Sequence, residues 1–498
     1  MKEINIGVTE EKNSVRIHLN NEEFRYDVYQ MFNLFFTFED MEFIEENSDV
    51  YVEILEDSLK IIAKKDNLCK YKIKDKNYKY EFKKDGNYKE ELKKGIFIYL
   101  KNMTEKELPW GTLTGIRPSK RAMKLLDEGK SEDDIVRFYK NTSITREDKS
   151  KLCIDIAKLE KNFINVDKKN ISIYIGMPFC PTRCLYCSFT SNPIGSSKRL
   201  VEPYLEGLKH EIRKVSEYVT KNNLNIETVY FGGGTPTAVN DKEFYDVMSE
   251  IHREFIKERN IKEFTLECGR PDSLNVNKLQ TMKEFDVHRI SINPQTMNNE
   301  TLRVIGRNHT SEDIEAIFEE ARALNFDNIN MDIIVGLPGE NINHIIKTCD
   351  SIQKLNPDSY TVHGLSIKRG SRLYEQLVNK MKLEIPDQNH LNMMYDYTFK
   401  LSQKMNMKPY YMYRQKNMVG NMENIGYSKK GSECIYNMLM IEDTQSIIAL
   451  GADAVSKIIF PNENRIERVG NNKDIKSYLQ NLDEKLEQKF KVLSEALK

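Results

Sequence analysis

Three cysteines, Cys180, Cys184 and Cys187, crowd into the stretch "IGMPFCPTRCLYCSFTS", Ile175 to Ser191, of a chain with eight cysteines in all. The other five, Cys69, Cys153, Cys268, Cys349 and Cys434, are scattered along the sequence. A zinc site ordinarily takes a fourth Cys or His and paired arms, and no near partner supplies one. Iron–sulfur clusters are held by thiolates, usually four. Three thiolates at the spacing C-x3-C-x2-C leave one iron open, and an open iron is a place for chemistry. Zinc and three structural thiols are the alternatives.

The elements around this loop must hold it at one end of a sheet. From "ISIYIGM" onward, apolar strands alternate with amphipathic helices: "ETVYFGGG", "EFTLEC", "VHRISIN", "NINMDIIVGLPG" and "SYTVHGLSI" are separated by stretches such as "DKEFYDVMSEIHREFIKE" and "TSEDIEAIFEEARAL". That rhythm predicts parallel βα units, and six strands favour a partial (β/α)6 barrel in an α/β fold. Function in such folds gathers at the C-terminal ends of the strands. The cysteine loop, the glycine turn, Glu267, Gln295 and Asp332 all end or follow a predicted strand.

We expect an N-terminal α+β accessory domain over 1–168, the barrel over 169–405 and a small C-terminal domain on the substrate side over 406–498. In the first, Tyr78, Tyr80 and Phe82 share one face of a hairpin around "KDKN", with Lys79 and Glu81 on the other. The Lys-rich run from Lys64 to Lys94 reads as a solvated strand face, with an RNA-binding face as the alternative. His288 and His363 read as satisfied barrel residues. Tyr410, Tyr411 and Tyr413 read as core or interface aromatics that could also line a flat porphyrin.

At 498 residues the chain exceeds one ordinary core. With 75 basic against 76 acidic residues it carries no global field toward nucleic acid or anionic lipid, so neither partner is expected. No stretch approaches the roughly 20 apolar residues a membrane span needs. Few cysteines and no export signal predict the cytoplasm, and a monomer is expected.

CxxxCxxC after a first barrel strand resembles the radical S-adenosylmethionine (SAM) enzymes, and "YFGGGTPT", Tyr230 to Thr237, is similar to their second landmark. "LTGIRPSK", "TLECGRPDSL", "RISINPQTMNNETLRVIGRNH" and "IIALGADAVSK" narrow the resemblance to the oxygen-independent coproporphyrinogen III oxidase-like family, HemZ-type branch. The resemblance implies a 4Fe-4S cluster on Cys180, Cys184 and Cys187, and SAM on its open iron. It implies Tyr174 beside SAM, Gly233, Gly234 and Thr235 at its methionine end, and Glu267 holding it. Gln295, Arg307 and Asp332 match positions that line the nucleotide pocket or a second SAM, with Tyr186 close by.

The implied reaction is oxidative decarboxylation of two propionates of coproporphyrinogen III to vinyls, with a reductant such as flavodoxin or ferredoxin as partner. Arg270, Lys368, Arg369 and Arg372 are candidates to meet the polyanionic porphyrinogen. The chain departs from the oxidase pattern at Phe189, where those enzymes carry a further cysteine, and at Gly176, where they carry histidine. Asn293 and Pro294 replace their Gly-Val. A heme-binding carrier of the same family, and a radical SAM enzyme acting on heme or RNA, are the alternatives.

Overall fold

The computed structural model describes residues 14–36, 41–64, 76–84, 86–164, 167–379, 384–415 and 418–498. Cys69 and part of the Lys-rich run, with the start of "KDKN", lie outside the described residues. Two compact units form: Met1–Gly115 with Leu125–Leu152 and Gly420–Met422, and Ile116–Lys124 with Cys153–Val419 and Glu423–Lys498. Among the described residues no helix is long and apolar enough to cross a membrane.

The first unit holds a five-stranded sheet of β1 (Val15–Leu19), β2 (Met41–Phe43), β3 (Val50–Ile54), β4 (Ser58–Ala63) and β5 (Asn77–Glu81), in the order β2-β1-β3-β4-β5. Alternation decides its faces: Val15, Ile17 and Leu19 are buried while Arg16 and His18 between them are half-buried. The helix Tyr88–Thr104 starts where the Asn87 side chain accepts the Glu90 N–H, and it packs Leu92, Ile96 and Leu100 into the core with Val52 and Ile61. Tyr78 and Tyr80 of β5 pack against that core, whereas Lys79 pairs with Glu81 outside it. The two rings are therefore half-buried, each with one side packed on the core.

The second unit is built on β6 (Asn170–Met177), β7 (Phe179–Cys180), β8 (Asn192–Pro193), β9 (Asn225–Gly233), β10 (Glu263–Glu267), β11 (Arg289–Ser291), β12 (Ile329–Val335) and β13 (Ser359–Gly364). It continues with β14 (Lys408–Tyr413), β15 (Asn424–Ser428), β16 (Ser446–Leu450), β17 (Val455–Phe460) and β18 (Arg465–Gly470). The strands β6, β9, β10, β11, β12 and β13 lie side by side in chain order and all parallel, which is the expected partial barrel. Helices such as Asp241–Ile251 and Ser311–Ala323 return the chain between strands. Each of these two opens with a capping box, Asn240 with Glu243 and Thr310 with Asp313.

Residues 406–498 extend this sheet at both edges. β15 and β14 add antiparallel beyond β13, and β16 pairs parallel with β6 before β17 and β18 follow antiparallel. The expected boundary at 405/406 falls between the helix Gln388–Lys404 and β14, inside the second unit. A buried hub ties these edge strands to the rest. Glu211, on the helix Ile194–Lys221, accepts from Lys489 Nζ at 2.8 Å, Tyr478 OH at 2.7 Å, Asn471 Nδ2 at 2.9 Å and the Gly451 N–H at 2.8 Å.

Candidate active site

Period-two alternation gives the parallel sheet one apolar and one polar face. Ile171, Ile173 and Ile175 of β6, with Val229, Phe231, Phe264 and Leu266, make the apolar face and are buried. The intervening positions are Ser172, Tyr174 and Gly176 of β6, Thr228, Tyr230 and Gly232 of β9, Thr265 and Glu267 of β10, and Asn330 and Asp332 of β12. They bond to one another: Thr228 Oγ1 donates to Ser172 Oγ at 2.8 Å, and Ser359 Oγ to Asn330 Oδ1 at 3.0 Å. A barrel interior lined this way can hold a polar ligand, because a buried polar atom left without a protein partner, as Thr265 Oγ1 is, can bond one. The rings of Tyr174 and Tyr230 stack with centroids 6.1 Å apart, and Tyr436, from the helix Ile435–Glu442, stacks on Tyr230 at 4.6 Å. Glu263 anchors that helix by accepting the N–H groups of Ile435 at 2.7 Å and Tyr436 at 3.2 Å.

The cysteine loop leaves β6 and is pinned by the glycine turn that leaves β9. The Gly234 N–H donates to Met177 O at 2.6 Å, the Thr235 N–H to Phe179 O at 2.8 Å, and Thr235 Oγ1 reaches Cys180 Sγ at 3.5 Å. Gly233 has φ +100°, in the region that favours glycine. At Gly234 the reason is space: a Cβ there would stand 2.6 Å from Phe179 O and 3.0 Å from Cys180 Sγ. The turn is bare because it touches the cysteine segment itself. Cys180 and Cys184 are buried and Cys187 half-buried. Burial pushes the Cys180 and Cys187 thiols up, and thiols costly to ionise alone suit a ligand that takes up the charge.

Across the mouth of the barrel stand two carboxyls with opposite behaviour. Burial and the neighbouring Asp332 charge push Glu267 up to about 7, against donors that include Tyr230 OH at 3.4 Å. Burial acts on Asp332 in the same sense, but His363, Asn330 and Thr361 outweigh it and hold that carboxyl below its ordinary value. His363 Nε2 is 3.6 Å from Asp332 Oδ2, and Asn330 Nδ2 donates to Oδ1 at 2.7 Å. Such a pair keeps one negative charge and one exchangeable proton near neutral pH. His363 is a satisfied barrel residue as expected, and the group that satisfies it is Asp332 on the neighbouring strand. His288, by contrast, is exposed and accepts the Phe264 N–H at Nδ1.

Gln295 adopts φ +66° and is held by main-chain bonds on both sides, its N–H to Asp332 O at 2.8 Å and its carbonyl accepting from the Ile334 N–H at 2.9 Å. Arg307 is buried and donates to Asn293 O at 2.8 Å, Gly269 O at 3.3 Å and Tyr186 OH at 3.3 Å. Tyr186, Gln295, Arg307 and Asp332 are thereby joined through Asn293, whose Oδ1 accepts the Asp332 N–H at 3.2 Å. Arg270 is not the free cation expected above the barrel: only 3% exposed, it bonds Asp272 and the cysteine loop. Tyr410 and Tyr411 are core residues, while Tyr413 is half-buried near Asp332.

Among the described residues no three His, Cys, Asp or Glu side chains converge as ligands of a single metal ion. A four-iron cluster is held at separate irons, one thiolate to each, and asks for no such convergence. A family model described as the Radical SAM superfamily matches residues 174–352. The chain is 39% identical over 391 residues to oxygen-independent coproporphyrinogen-III oxidase-like protein HemZ of Bacillus subtilis, which covers 78% of this chain and 77% of that one. The chain belongs to the oxygen-independent coproporphyrinogen-III oxidase-like family of radical SAM proteins. A second relative is heme chaperone HemW of the same organism, 32% identical over 45% of this chain and 58% of that one. Among solved structures, coproporphyrinogen III oxidase HemN from Escherichia coli superposes with TM-score 0.51 at 20% identity, over 66% of this chain and 73% of that one, and shares the fold. Radical SAM proteins use a 4Fe-4S cluster and SAM, and the thiols and the polar barrel mouth described above fit that pair.

Proposed function

We propose that this radical SAM protein is a coproporphyrinogen III dehydrogenase, converting two propionates to the vinyls of protoporphyrinogen IX in the cytoplasm as a monomer. The observation that carries the reading is its 39% identity to the oxidase-like HemZ protein across most of both chains. The bound cluster would supply the electron that cleaves SAM to methionine and a 5'-deoxyadenosyl radical. In this reading Cys180, Cys184 and Cys187 hold the cluster, and Gly233, Gly234 and Thr235 line the methionine end of SAM. Glu267 and Asp332 accept hydrogen bonds from the cofactor, and Tyr174 packs beside it. Gln295, Arg307 and Tyr186 close the nucleotide side. Lys368, Arg369 and Arg372 remain for the propionates, and a flavodoxin or ferredoxin supplies electrons. At each propionate one β-hydrogen atom is removed, carbon dioxide leaves and one further electron passes to an acceptor.

A second reading, heme carriage, is favoured by Phe189 and Gly176 and by the HemW relative. The test is anaerobic incubation of the reconstituted protein with SAM, dithionite and coproporphyrinogen III, followed by mass spectrometry. The dehydrogenase requires deoxyadenosine to form faster with porphyrinogen than without it, and deuterium to pass from a β-deuterated propionate into deoxyadenosine. Deoxyadenosine formation indifferent to porphyrinogen, with tight heme binding and transfer to an apoprotein, would select the carrier.

A further inference from the structure

We propose that Arg270 is a positioning residue for the cluster: it clamps the turn between Cys180 and Cys184 and places a desolvated positive charge beside the Cys184 sulfur, raising the cluster's reduction potential. The inference rests on the three cysteines being the cluster ligands.

The local sequence builds the device. After β10, Gly269 takes φ +64° and Pro271–Ser273 forms a single helical turn, which folds Asp272 back onto Arg270. The two carboxylate oxygens accept from Arg270 Nε at 2.9 Å and Nη2 at 2.8 Å. This fork-to-fork contact uses one edge of the planar guanidinium and fixes where the other points. Nη1 then donates to Thr182 O at 3.0 Å and Thr182 Oγ1 at 2.8 Å, and stands 3.9 Å from Cys184 Sγ. The far side of the loop is held as well, by Thr182 Oγ1 on Gly306 O at 2.8 Å and the Leu185 N–H on Ile305 O at 3.0 Å.

Arg270 is 3% exposed, so solvent screens its charge little. Arg307 flanks the same thiol but also bonds Tyr186 in the nucleotide region. Arg270 bonds none of the residues assigned to SAM, so its effect on the cluster can be read without the cofactor. Adding an electron makes the cluster more negative. The guanidinium favours that step, while the Asp272 carboxylate behind it opposes it.

The test is an EPR-monitored redox titration of the full chain, reconstituted anaerobically without SAM, with iron content measured for each variant. Arg270→Gln should make one-electron reduction at least tenfold less favourable, about 59 mV lower in potential. Arg270→Lys should give a smaller fall, and Asp272→Asn a rise. Opposite signs at Arg270 and Asp272 are the signature of charge, because general loosening of the loop would move both variants the same way. Arg270→Gln with full iron and unchanged potential would overturn the proposal, as would a fall in Asp272→Asn. Should Arg270→Gln fail to hold iron, Asp272→Asn and Arg270→Lys decide by the same signs. Absence of any cluster signal in the unmutated protein would instead overturn the ligand assignment.

Discussion

Replacing Lys489 by Met takes the cation away from Glu211 while leaving the carboxylate in place. Both side chains are fully buried, with relative exposures of 0%. The carboxylate keeps Tyr478, Asn471 and the Gly451 N–H, and the Ala449 carbonyl loses its 2.7 Å donor. Removing one member of a buried pair costs about 3–5 kcal/mol, because the remaining charge is left without its counter-ion. Unfolding entropy runs near 2.1 cal/mol/K per residue, so for a unit of roughly 350 residues a loss of about 4 kcal/mol lowers Tm by about 5 °C. The loss should reach the site too. The hub holds the turn after β16, where the Ala452 N–H meets Tyr204 OH, and that hydroxyl donates to Gly176 O at the end of β6. Scanning calorimetry of Lys489→Met, of Glu211→Gln and of the double variant would measure this. The double variant should recover a large part of the single losses, since it removes both charges together. A Tm within 1 °C of the unmutated protein for Lys489→Met, or strictly additive losses, would refute the reasoning.

A carboxyl raised by folding keeps its proton after the unfolded chain has released its own, so Glu267 should lower stability as pH rises from its ordinary 4.5 to about 7. Glu267→Gln should remove up to about 3 kcal/mol of that loss, and urea unfolding at pH 5 and pH 7.5 should show the variant gaining on the unmutated protein as pH rises; a pH-independent difference would count against the assignment. Gly234→Ala places a Cβ 3.0 Å from Cys180 Sγ, so anaerobic reconstitution should recover less iron, and full iron would show that the turn can give way. Replacing Cys180, Cys184 and Cys187 together by Ala should abolish the cluster's absorption and iron, and an unchanged spectrum would exclude them as ligands. Glu263→Ala frees two N–H groups at the start of the helix Ile435–Glu442 and should cost about 1–2 kcal/mol, read as a lower urea midpoint.

The parallel strands were legible because their signals are local. Each of the six runs is short and rich in branched residues, and a capping residue or a glycine marks where it hands over to a helix. The polar face was half legible. Alternation shows that Tyr174, Tyr230 and Glu267 share a face along their own strands, but which of them meet depends on register, and register belongs to the pairing of strands. The short strands of residues 406–498 escaped notice because "SIIAL" has no helix after it to mark a βα unit; β16 acquires its meaning only by pairing with β6.

The sequence by itself determined a cluster of thiols and its setting: three cysteines at C-x3-C-x2-C after the first strand of a parallel βα series, with a bare glycine turn one unit later. Spacing along the chain carries that, since consecutive residues cannot be separated in space. Only the tertiary structure decided what the charged residues do. Arg270 reaches Thr182 across 88 positions and Lys489 reaches Glu211 across 278, while His363 meets Asp332 from the neighbouring strand. Read along the chain, each could serve a substrate or the solvent. Burial leaves a charge no choice but its nearest counter-charge or polar partner, and packing between distant segments decides which group that is.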